Sequence, residues 1–133
     1  MSVSVLTAPF HTSDPVDPRV FLPRLRRACR AMAGMLPEVF NDVTPDRMRQ
    51  VLLNRGWVYQ GTAPWPGDPN RVAFELYDNA TAQGTDRNYI IKYVRLPMDP
   101  TAGDWRNRVG DWATAVSIRH GDVSTAEILA EAL

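Results

Sequence analysis

The chain predicts an α+β protein: a three-stranded antiparallel sheet packed by helices, in the order α-α-β-β-β-α-α. Three observations carry that prediction. Residues 23–55 space their apolar side chains at helical intervals, residues 57–96 change to strand-like alternation, and residues 101–133 return to helical spacing. With 133 residues, 44% of them hydrophobic and 23% charged, the chain is long enough for one domain with a real core. Residues 1–18 hold Pro9, Pro15 and Pro18 among polar residues and read as an extended arm, with Val3 and Val5 leaving room for a small edge strand. The domain is expected over residues 19–133.

The first helix is expected from Pro23, because a proline at the opening position gives up an N–H that would have had no partner. Leu25, Cys29, Met32 and Leu36 would form its apolar face, Arg24, Arg27 and Arg30 an outward basic ridge, and Gly34 and Pro37 its end. The second helix starts at Thr44-Pro45-Asp46, which supplies a cap, a proline and an acid in the first turn. Met48, Val51, Leu52 and Arg55 follow, and Gly56 closes it.

Trp57 to Gln60 then reads as the first strand, and PWPGDPN at 64–70 as turn chemistry. Val72, Phe74 and Leu76 alternate with Ala73, Glu75 and Tyr77 in a half-buried second strand, where Glu75 is expected on the exposed side. Tyr89 to Leu96, apolar on both faces except at Lys92 and Arg95, is expected to be the central strand, stopped by Pro97 and Pro100.

Gly103-Asp104-Trp105 returns seven residues later as Gly110-Asp111-Trp112. Seven residues are close to two helical turns, so the echo is what a helix seam produces. Trp105, Val109, Trp112, Ala113 and Val116 fall on one stripe wide enough to cover a sheet. Gly110 inside that helix would suit a close backbone approach, and Gly121 ends the helix. Ser124-Thr125-Ala126-Glu127 is a capping box, opening a last helix that buries Ile128 and Leu129.

Composition excludes several function classes. Net charge is zero, so no overall field draws the chain to nucleic acid or an anionic membrane. No apolar run reaches the roughly 18 residues of a membrane span, and the N-terminal stretch has neither the basic region nor the apolar core of a signal peptide. A single cysteine permits no internal disulfide, and a cytoplasmic protein is the expectation. His11 and His120 are the only histidines, so no zinc-ligand spacing exists and no metal or cofactor is expected. His120 is expected to favour a helix C-terminus as a cation, and Asp99, Asp104 and Asp111 to cap and solvate. Cys29 is expected to be a buried, inert thiol. No nucleophile elbow, phosphate loop or dinucleotide fingerprint occurs, so no catalytic residue is named.

What stands out is arginine. Fourteen of the fifteen basic residues are arginine, and only Lys92 is lysine. Residues 19–55 hold eight arginines against Glu38, Asp42 and Asp46, whereas residues 99–133 hold six acids against three arginines. GC-rich codon usage accounts for such a bias; planar, bidentate recognition of phosphate or carboxylate is the functional alternative. Arg24, Arg27, Arg30, Arg47, Arg49 and Arg55 are the candidate partner- or phosphate-binding residues, and Tyr59 and Tyr77 the candidates for base stacking.

The helix ending in NRGW, the three strands and the helix after them resemble small αβββα domains in element order, over about residues 44–118. These include double-stranded-RNA-binding domains and HicA-type toxins that cleave mRNA. HicA-type toxins carry a catalytic histidine in their strand region, and residues 57–96 here contain none, so the resemblance does not imply that activity. Leu96-Pro97-Met98-Asp99-Pro100 followed by Asp104-Trp105 is similar to a V-P-L-D-P…D-Y pattern of small bacterial or phage proteins. The expected function is a non-enzymatic accessory module with a protein partner, the alternative being a nucleic-acid-binding protein or vestigial HicA-like nuclease that uses the arginine-rich helices.

Overall fold

The computed structural model describes residues 17–79 and 93–133, so the expectations for Val3, Val5, His11 and Tyr89 to Lys92 lie outside the described residues. Helix α1 spans Pro18–Met32, and a short 3-10 helix, Pro37–Asp42, leads into α2, Pro45–Asn54. Strands β1, Val58–Trp65, β2, Asp68–Asp78, and β3, Val94–Pro97, precede helices α3, Trp105–His120, and α4, Thr125–Ala132. The fold is α+β, with a three-stranded antiparallel sheet in the order β1-β2-β3.

Helix α1 begins earlier than its sequence suggests. Asp17 and Pro18 are themselves a cap and first-position pair, and the Asp17 carboxylate accepts the Arg19 N–H at 2.9 Å. Pro23 therefore sits inside the helix, on its exposed side. The buried face also differs from the expected one. Phe21, Leu25, Ala28 and Ala31 turn toward the core, whereas Cys29 and Met32, expected there, are exposed. Alanine wins these positions because α1 lies against α4, which brings its own buried Ala130 and Ala132. Small side chains let two helices approach closely where a larger residue would hold them apart.

Helix α2 follows its sequence signals. The Thr44 hydroxyl accepts the Arg47 N–H at 3.2 Å, Pro45 opens the helix, and Met48, Val51 and Leu52 are buried. Gly56, at φ 86°, lets Trp57 N–H reach back to the Leu52 carbonyl at 2.9 Å.

The sheet corrects four expectations. Strand β1 runs to Trp65, well past Gln60, and only Pro66-Gly67 turns, between the paired Trp65 and Asp68. Proline at the first corner and Gly67 at φ 80° suit a type II turn. Pro64 cannot donate to the ladder, and the register shifts on both sides of it. The central strand is β2, bonded to both neighbours, because the 94–97 segment pairs on one side only among the described residues. Within β2, Ala73 and Tyr77 are buried and Val72 is exposed, so Glu75 shares the buried face.

The C-terminal helices complete the core. Trp105, Val109, Trp112, Ala113 and Val116 of α3 are all buried, which makes the GDW echo a packing seam. Trp105 Nε1–H also donates to the Phe40 carbonyl at 3.1 Å, fixing α3 to the 3-10 helix. No neighbour lies within 4 Å of where a Gly110 side chain would start, so close backbone approach is not its reason. Ser124 and Glu127 form the reciprocal capping box, at 3.1 and 3.0 Å. Among the described residues no helix is long and apolar enough to cross a membrane.

Candidate functional site

The six candidate arginines divide by helix. On α2 all three are engaged by the protein itself. Arg47 Nη1 donates to the main-chain oxygen of Leu133 at 2.6 Å. Arg49 Nε donates to Glu75 Oε1 at 3.0 Å, and its Nη1 to Asp46 Oδ1 at 2.6 Å. Arg55, the C-cap of α2, forms a two-pronged pair with Glu131 of α4, with Nε to Oε1 at 3.0 Å. Such forks are directional as well as charged, so they fix the angle between helices.

Glu75 is therefore neither exposed nor idle. Its side chain keeps 17% of its solvent contact, and Oε1 also accepts the Tyr77 hydroxyl at 2.9 Å. Burial and the adjacent carboxylate both raise the Tyr77 phenol, and Glu75 raises the already high Arg49 value, so the phenol keeps its proton and the guanidinium its charge. Tyr77 is only 2% exposed and meets Tyr59 edge-on at 5.8 Å. It offers no ring face for a base, whereas Tyr59 remains half exposed.

On α1 the arginines face outward. Arg27 pairs with Asp42 at 2.9 Å, but Arg24, Arg26 and Arg30 are exposed and have no ion-pair partner among the described residues. At 3.6 residues per turn, Arg19, Arg26 and Arg30 fall on the stripe opposite the buried one. The ridge is therefore centred on Arg26, with Arg27 at its flank, while Arg24, though exposed, falls on the side of the helix that carries Ala28 and Ala31. Arg26 is placed there by sequence only once Ala28 and Ala31 are recognised as the buried positions. Beside the ridge stand exposed apolar groups, Leu22, Cys29 and Met32, with Met35 just beyond.

Two further clusters left no sequence signal, because they join residues far apart in the chain. Arg71 and Arg108 each lie 4.7 Å from the Trp65 ring centre, and Arg108 also lies 5.1 Å from that of Phe74. Asp99 holds Arg71, and Asp104 holds Arg108 at 2.7 Å. Thr101 and Arg108 respectively keep the Asp99 and Asp104 carboxyls below the usual range. With its charges matched internally, this stack clips the hairpin tip to α3.

At the other end, Trp57 Nε1–H donates to His120 Nε2 at 3.0 Å. Burial foremost, then the charge of Arg55, depresses the imidazole to about 4, so His120 is a neutral acceptor and not the cation expected at this helix end.

Among the described residues no group of three or more histidine, cysteine or carboxylate side chains is placed to hold a metal. An open groove of about 340 Å³ runs between the 3-10 helix and the start of α3, lined by residues including Phe40, Asn41, Arg106 and Asn107. Comparison of the chain with protein-family models, with curated proteins and with solved structures finds no match in any of the three.

Proposed function

We propose that the protein is a binding module that attaches to an acidic, partly apolar protein surface through the outer face of α1. The observation that carries this reading is the contrast between the two arginine helices. Every α2 arginine is used inside the molecule, while Arg24, Arg26 and Arg30 are exposed with no ion-pair partner among the described residues, and Arg26, one turn from Leu22 and from Cys29, borders those exposed apolar groups. An arginine-fringed apolar strip suits a protein interface, in which arginine is enriched and the apolar centre supplies the burial. A small accessory role in a bacterial or phage system is part of the same proposal.

The test is affinity capture of the tagged chain from host extract, with and without nuclease treatment, beside the R24Q/R26Q/R30Q variant. The proposal expects a protein recovered by the wild type and lost from the variant, with a modest response to salt. Recovery of RNA or DNA, with binding that falls steeply with salt, would favour the nucleic-acid reading instead. Equal recovery by both chains would remove the α1 face as the site.

A further inference from the structure

Four elements end at one junction. Arg55 and Trp57 close α2, Asp78 and Asn79 finish β2, Arg119 and His120 finish α3, and Glu131 lies in the last turn of α4. Asn79, only 2% exposed, donates through Nδ2 to the Arg55 carbonyl at 2.9 Å. Its own carbonyl accepts from Arg119, whose guanidinium lies 5.4 Å from the Trp57 ring centre and 3.7 Å from Asp78. Trp57 and His120 meet edge to face at 5.7 Å and share a single hydrogen bond across the junction.

We propose that this Trp57–His120 bond is a proton-operated latch, closed while the imidazole is neutral and released when it takes up a proton. The bond needs a lone pair on Nε2, because the indole N–H can only donate. A proton arriving at Nε2 leaves two donors facing each other. The charged groups around the ring reinforce this. Arg55 of α2 and Arg119 of α3 oppose a third positive charge, and Asp122 in the following loop favours it. Two carboxylates stand one step away, Glu131 of α4 on Arg55 and Asp78 of β2 beside Arg119, and both answer cations already present. The low imidazole value agrees with that geometry. An imidazole freed into water titrates near 6.5, so acidification from pH 7.5 to 5.5 shifts the latch toward the open form by about tenfold.

The measurement is ¹⁵N NMR of the full chain in an H11Q background, which leaves His120 as the one titrating imidazole. Indole N–H exchange of Trp57 is compared with that of H120Q at each pH, since glutamine retains an acceptor but does not titrate. The latch predicts that, relative to H120Q, Trp57 exchange accelerates about tenfold between pH 7.5 and 5.5. Identical exchange in the two chains across that range would overturn it. W57F supplies an independent reading should H120Q fail to fold. Loss of the donor should move the His120 titration upward from about 4 toward 6.5, and an unmoved titration would show that the indole bond is no part of the switch.

Discussion

Gly110 shows how a single residue separates what composition suggests from what packing requires. It lies in the middle of α3 with open space where a side chain would begin and with no left-handed backbone to demand glycine. Gly110→Ala should therefore stabilise the protein by about 0.5–1 kcal/mol, by helix propensity and a less free unfolded chain, as read by urea denaturation. Other residues were misjudged from sequence for a related reason: their environment comes from distant partners. Glu75 looks like an exposed strand acid until Arg49, 26 positions earlier, is seen to bond it. His120 looks like a helix-end cation until Trp57, 63 positions away, is seen to use its lone pair. Local rules describe a residue's own element, and neither partner belongs to it.

Elements were legible where their signals are covalent or nearest-neighbour. Thr44-Pro45 and Ser124 to Glu127 mark their helix starts in the letters themselves, and both caps are formed. Ser124→Ala should cost about 0.5–2 kcal/mol, measured as a lower denaturation midpoint, because it frees the Glu127 N–H and breaks the reciprocal box. The α3 seam was equally readable from its seven-residue echo. Trp112→Ala, emptying a site only 1% exposed, should cost about 3–5 kcal/mol in the same measurement. Helix α1 was harder, because two prolines, Pro18 and Pro23, each qualify as a first residue. The later start leaves out Phe21, and following the bulkier apolar residues over Ala28 and Ala31 places Cys29 and Met32 in the core, where the helix exposes them. The same choice set the basic ridge on Arg24, Arg27 and Arg30, where the helix presents Arg19, Arg26 and Arg30.

On the scale of the whole molecule, one ion pair joins the basic and the acidic stretches of the sequence directly, Arg55 with Glu131, while Arg49 and Asp99 find partners in the strands, Glu75 and Arg71. Arg24, Arg26 and Arg30 of α1 have no ion-pair partner among the described residues. Stability should also respond to pH through His120. Its folded value, near 4, lies below the unfolded 6.5, so the unfolded chain takes up the proton first. The contribution is complete above pH 6.5 and is lost as pH falls toward 4. Allowing for solvent still reaching the ring, the loss is about 1–2 kcal/mol, visible in urea midpoints at pH 7.5 and 5 and reduced in H120Q.

The central claim is that two similar arginine sets do different work, and one paired measurement separates them. Stability and partner capture are determined together for R24Q/R26Q/R30Q and for R47Q/R49Q/R55Q. The first should melt like the wild type, since exposed substitutions each fall within about 0.5 kcal/mol, and should lose its partner. The second should lose roughly 2–4 kcal/mol, because Glu75 and Glu131 are left half-buried without their cations. A first variant that keeps its partner, or a second as stable as the wild type, would contradict the division of labour between α1 and α2.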